Sequence, residues 1–162
     1  MPITLKAEII YFCEQSDPRL EFGLSGDYPS RTLSTSCSDY REYLYALKKA
    51  VSRNNLILVV GGFGENGEMA RVTGLAVGRE PKRIDFQKLG YGEVSGAPEM
   101  LPESGLPLVD EEGGFAGVLL ESGAQAIVLL DEKNKNRGYI IRDLIAPYLS
   151  ELYNTVINKK EN

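Results

Sequence analysis

Histidine is absent from this chain of 162 residues. That removes the side chain that most often serves as a general base near neutral pH and most often ligates a metal. Every triad that runs through an imidazole is therefore excluded. Cysteine is scarce: Cys13 and Cys37 are the only two, too few for a disulfide framework or a structural zinc site. Long apolar runs are missing as well. The longest, Leu56 to Val60 and Ala126 to Leu130, fall far short of the ~20 residues that span a bilayer, so no membrane association is expected. No basic region followed by an apolar one opens the chain, and with so few cysteines this predicts a reduced, cytoplasmic setting. Clustered basic charge is also lacking. A net charge of −5 and a pI near 4.9 argue against a nucleic-acid-binding surface. The densest basic group, Lys133, Lys135 and Arg137, lies among acids and asparagines and reads as a solvated turn.

What is present is the composition of one globular domain, 43% hydrophobic and 25% charged. Chemistry falls to carboxylates, Lys, Arg, Tyr, hydroxyls and backbone amides. The most informative stretch runs from Leu56 to Glu68. Five consecutive apolar residues, Leu56-Ile57-Leu58-Val59-Val60, predict a strand buried on both faces, as in a parallel sheet. Gly61, Gly62 and Gly64 then let the backbone turn sharply and approach a ligand without Cβ interference. Ligands of open α/β sheets bind beyond the carboxyl ends of strands, so this loop is the first candidate site. A plain turn is the alternative. Backbone N–H groups at the start of a following helix would suit a phosphate, yet Glu65 and Glu68 put negative charge there unless a divalent cation bridges them.

The rest of the chain alternates. Thr4 to Phe12 is a first strand. Cys13 to Ser38 is rich in Ser, Pro, Gly and Asp and reads as an irregular insertion, with one short strand at Arg31 to Ser34. Ser38 or Asp39 caps a helix, with Glu42 near its third position. Tyr40, Tyr43, Leu44, Leu47 and Val51 give that helix an apolar stripe. A second helix spans Glu68 to Leu75. Lys82 to Glu103 is turn-rich, Gly105 to Val109 is extended, and Gly117 to Leu120 and Gln125 to Leu130 are strands around the turn at Glu121 to Ala124. Tyr139 to Lys159 is a C-terminal helix that Pro147 kinks or breaks, with residues 154–162 as a polar tail. The pattern predicts a single α/β domain, a three-layer sandwich around a mostly parallel sheet.

The order of these segments resembles molybdopterin-binding domains of the competence/damage-inducible protein A type. Lys6-Ala7-Glu8-Ile9-Ile10 is similar to that family's first strand. Asp39 through Val60 with Gly61-Gly62-Phe63-Gly64 resembles its helix, strand and Gly-Gly-x-Gly loop. Pro107 to Gly117, Glu121-Ser122-Gly123 and Ala146-Pro147-Tyr148-Leu149 resemble later segments. The resemblance implies the sandwich fold, oligomer formation, and a phosphate-bearing, pterin-like or nucleotide-like ligand. Carried onto this chain, it places ligand contacts at Gly61, Gly62, Phe63, Gly64, Glu65, Asn66, Glu68, Asp110, Gly113 and Gly117. Glu68 would be the candidate catalytic group and a candidate for Mg²⁺; the acidic cluster Asp110-Glu111-Glu112 could also supply oxygen ligands to Mg²⁺, with a solvated loop the favoured alternative because consecutive residues point in different directions. Departures are visible. Met69 stands where the family has a second acid, and Leu130-Asp131-Glu132-Lys133-Asn134 replaces its Pro-Gly-x-Pro loop.

Two functions follow as expectations. The first is a non-catalytic ligand-binding or assembly module with a degenerate site at Gly61 to Gly64; nine tyrosines, residues favoured at interfaces, fit a homo-oligomer. The alternative is Mg²⁺-dependent phosphoryl or nucleotidyl transfer to or from a small phosphate-bearing ligand. The missing acid and the rewritten second loop favour the first.

Overall fold

Alternating apolar residues from Leu5 to Phe12 form β1, which presents Leu5, Ala7, Ile9 and Tyr11 to one side and Ile10 to the other. In this computed structural model, which describes residues 3–161, β1 lies inside a six-stranded sheet. The remaining strands of that sheet are β2 (Ser30–Cys37), β3 (Leu56–Val60), β6 (Leu106–Val109), β7 (Phe115–Ser122) and β8 (Gln125–Leu130), in the order β2-β1-β3-β8-β7-β6. β2, β1, β3 and β8 are parallel, and β7 runs against both of its neighbours. Five strands therefore point the same way and deliver their following loops to one edge. β4 (Pro81–Arg83) and β5 (Met100–Pro102) form a separate antiparallel pair.

Helices cover both faces. α1 (Pro18–Gly23) and the C-terminal helical run pack Leu20, Leu24, Ile140, Ile145, Leu149 and Leu152 against one face. α2 (Tyr40–Arg53) and α3 (Glu68–Ala76) pack Tyr43, Leu47, Ala50, Met69 and Ala70 against the other. The three layers expected from the pattern are the layers found. β3, buried at every position, is central because its five apolar residues have no polar face to offer solvent. Asp39 caps α2 by accepting the Glu42 N–H at 2.8 Å. Tyr43 and Thr73, both fully buried, share a hydroxyl hydrogen bond of 2.6 Å that ties α2 to α3.

Three local expectations are corrected. The segment 13–38 is no irregular insertion: it holds α1 and a full eight-residue strand, β2, in register with β1 from Leu5↔Ser30 to Phe12↔Cys37. The short strand expected at Arg31 to Ser34 lies within β2; its full length was hidden because it is an edge strand, largely exposed, whose Ser-Arg-Thr-Leu-Ser-Thr-Ser composition carries little apolar signal. The polar tail is helix through Glu161, Asn162 lying outside the described residues. α5 spans Ala146–Glu161, its exposed polar residues lying opposite buried Leu152 and Val156. The single C-terminal helix is three pieces: α4 (Arg137–Tyr139), a π-helical turn (Ile140–Ile145), and α5. Pro147 has no N–H for the carbonyl four residues back, and the wide turn before it absorbs the mismatch.

Candidate functional site

β1 has β2 on one side and β3 on the other, and the connecting helices α1 and α2 lie on opposite faces of the sheet. The carboxyl ends of β1 and β3 therefore form the topological switch point, the usual ligand crevice of such sheets. Here the chain fills it. A side chain on Gly61 (φ +90°) would meet the Phe12 carbonyl oxygen at 2.6 Å and the Glu14 side chain at 2.7 Å. On Gly62 (φ +68°) it would meet the Phe12 ring at 2.5 Å and Met69 Cε at 2.8 Å. The glycines are needed for left-handed backbone and for close approach of neighbouring protein atoms. Tyr40 donates to the Gly62 carbonyl at 2.9 Å, and its ring lies 5.0 Å from that of Phe12.

The backbone donors of the loop are also taken. The N–H groups of Phe63 and Gly64 point at the Glu132 carboxylate, 3.0 and 3.4 Å away. Lys133 Nζ donates to the Gly64 carbonyl at 2.6 Å and pairs with Asp131 at 3.0 Å. Paired loop amides of this kind form an anion receptor, and the anion is the chain's own. Glu68 Oε2 accepts from the Asn66 N–H at 3.3 Å and reaches the space a side chain on Gly64 would need. The acidic character is felt nearby. Burial first, then the negative charges of Glu68 and Glu132, push the Tyr40 hydroxyl up from its ordinary range.

Asp110 follows β6. Its Oδ1 accepts the N–H groups of Glu112 (2.9 Å) and Gly114 (2.8 Å), and its Oδ2 accepts the side-chain amides of Asn134 and Asn136, both at 2.9 Å. Burial acts to raise its pKa, but the donors led by Asn136 and Gly114 outweigh it and hold the carboxyl at about 2. Four donors occupy the acceptor positions a cation would use. Gly113 forms the turn beside it with φ +82°, and Gly117 lies inside β7. The loop 131–136 thus grips both sequence-predicted sites, through Glu132 and Lys133 on one flank and Asn134 and Asn136 on the other.

No protein-family model matches this chain, and no curated protein is detectably similar to it in sequence. Among solved structures, the crystal structure of the protein CinA with unknown function from Thermoplasma acidophilum is similar, with a TM-score of 0.57 and 18% identity. The match covers 85% of this chain and 94% of that one. The chain has a CinA-like α/β fold. At that identity the likeness concerns the fold and carries no residue roles.

Gly61 to Gly67 thus form one loop around the β3 end with Glu68 opening α3, while Asp110 and Gly113 belong to the β6–β7 hairpin on the same edge. Among the described residues, no group of three or more His, Cys, Asp or Glu side chains is placed to hold a metal ion. Nor is any described helix long and apolar enough to cross a membrane. Lys133 lies in an exposed turn, as its composition suggested, and from there it contacts Asp131 and Gly64. The sequence marks the stretch 130–134 as a replacement but not its task, since Glu132 meets the glycine turn across 68 and 69 positions.

Asp110 gives a first prediction. Its depressed pKa adds stability that is fully present above the unfolded value near 3.8 and is lost as pH falls through about 2. That drop is worth about 2 kcal/mol. Asp110→Asn, which also turns an amide toward four donors, is expected to lower stability at pH 7 by about that amount. The gap from wild type should narrow between about pH 4 and pH 2, as urea melts at each pH would show. A gap independent of pH would mean that the carboxylate charge is not what the four donors hold.

Proposed function

We propose that this chain is a non-catalytic binding or assembly module on a CinA-like sandwich, with its glycine loop closed by its own carboxylate. The contact of Glu132 with the Phe63 and Gly64 N–H groups carries this reading. A phosphate would need those same donors and would have to displace a tethered anion. It would also enter a site where Glu14 and Glu68 lie against the loop glycines. Asp110, the other candidate for magnesium, has its acceptor positions filled by hydrogen-bond donors. A second copy of the chain, or another protein, is the partner such a module would serve.

Glu132→Ala tests the reading. The variant is expected to lose about 1–2 kcal/mol of stability, because two loop amides lose their partner. In ¹H–¹⁵N spectra, the wild-type Phe63 and Gly64 amides should stay still when inorganic phosphate is added with or without Mg²⁺. In the variant they should move. Mg²⁺-dependent turnover of a nucleotide or pterin phosphate by the wild type, abolished in Glu68→Ala, would overturn the module and establish phosphoryl or nucleotidyl transfer.

A further inference from the structure

The two cysteines of this chain meet at the carboxyl ends of β1 and β2, although α1 and most of β2 separate them in sequence. Cys37 ends β2 opposite Phe12, the last residue of β1, and the Cys13 N–H donates to the Cys37 carbonyl at 2.9 Å. Standard bond lengths across that hydrogen bond hold the two Cα atoms within about 7 Å. That is the limit for a disulfide that leaves the backbone in place.

Direction matters as well as distance. Phe12 packs with Cys37 on the α2 side of the sheet, whereas Tyr11 faces the other side. Strand alternation alone would send the next side chain, Cys13, to the Tyr11 side and away from Cys37. Instead Cys13 turns into the left-handed region, at φ 53°, which non-glycine residues adopt uncommonly. The turn brings its Sγ to 3.3 Å from the carbonyl oxygen of Ser38, the residue after Cys37. Cys13 is exposed, and Cys37 is only 6% exposed. One thiol of the pair therefore meets solvent and the other does not.

We propose that Cys13 and Cys37 form a modification site, oxidised reversibly to an intramolecular disulfide by exchange with a low-molecular-weight disulfide. Cys13 gives up its proton and attacks one sulfur of the small disulfide; that S–S bond breaks, and one small thiol leaves with the proton. Cys37 then gives up its proton, attacks the Cys13 sulfur and expels the second small thiol. Two protein thiols are oxidised and one small disulfide is reduced to two thiols. Burial first, then the charges of Glu42, Cys13 and Asp39, push the Cys37 thiol up to about 11. Exposed Cys13 thus reacts first and Cys37 second. The bond ties β1 to β2 beside the Phe12 carbonyl and the Glu14 side chain that crowd Gly61. It uses none of the donors of the glycine loop, so its failure would leave the closed-loop reading untouched.

The test incubates the reduced full chain with glutathione disulfide at mildly alkaline pH, with acid quenching, intact mass and peptide mapping. The wild type is expected to lose two hydrogens, stay a single chain and yield a linked peptide pair holding Cys13 and Cys37. Dithiothreitol should restore the starting mass. Cys37→Ala should stop with one glutathione on Cys13, and Cys13→Ser should react at least about tenfold more slowly. The wild-type map decides the matter even if Cys37→Ala fails to fold. The proposal is overturned by a wild type that stops at the mixed disulfide, that links two chains, or that reacts no faster than Cys13→Ser.

Discussion

Gly117→Ala is expected to lower stability by at least about 3 kcal/mol, a large fraction of the roughly 5–15 kcal/mol typical of a folded domain. Gly117 lies in β7, opposite Leu130 of β8 and Leu108 of β6. Its φ of 158° and its position direct an added Cβ into the Leu129 carbonyl oxygen, well inside van der Waals contact, with Leu130 Cα at 3.2 Å. The obstacle is backbone. β8 is held between β3 and β7 along its length and cannot retreat without breaking ladder hydrogen bonds on one side or the other. Overpacking a core by one methyl typically costs about 1–3 kcal/mol when side chains can yield, and here none can. Urea melts would read the loss as a lower midpoint with an unchanged slope. Gly138→Ala is the control, since the added methyl group meets nothing there. A Gly117→Ala protein as stable as that control would show that β7 and β8 are farther apart than described. The resemblance placed Gly117 among ligand contacts; its surroundings give it a steric task inside the sheet.

Arg53→Met is the second large effect, expected at about 2–3 kcal/mol. Glu8, in the first strand, is 0% exposed. Its carboxylate accepts Arg53 Nε at 3.0 Å and Nη2 at 3.1 Å, Asn54 Nδ2 at 2.9 Å, and Thr35 Oγ1 at 2.6 Å. Removing the guanidinium leaves a buried charge with only neutral donors. The Arg53 side chain is 46% exposed, so solvent screens the pair in part and the loss falls below that of a fully buried one. Glu8→Met combined with Arg53→Met should recover much of the stability, because the uncompensated charge goes with its partner. Chemical denaturation of the two single variants and the double would measure the coupling. An Arg53→Met protein within about 0.5 kcal/mol of wild type would make Arg53 an ordinary surface residue.

Much of the architecture was legible in local pattern. β3 was readable because burial on both faces demands five apolar residues in a row, and the α2 cap because Asp39 and Glu42 stand three apart. Of β2 only the stretch Arg31 to Ser34 was, since an edge strand is under little pressure to be apolar. Glu8 was not singled out either. A carboxylate inside an apolar strand has no local signature, and its partners lie 27 to 46 residues away.

The candidate site divides along the same line. A strand running into Gly61, Gly62 and Gly64 marks a tight turn at the carboxyl edge whatever surrounds it, because glycine's freedom is a property of the residue. Whether the amides of that turn face a ligand or the chain itself depends on what folds against them. Glu132 reaches Phe63 and Gly64 across 69 and 68 positions, and Asn134 and Asn136 reach Asp110 across 24 and 26. Element type and strand burial follow from short-range periodicity and the exclusion of apolar groups from water. Occupancy of the loop and saturation of Asp110 required the parallel sheet to bring distant loops to one edge.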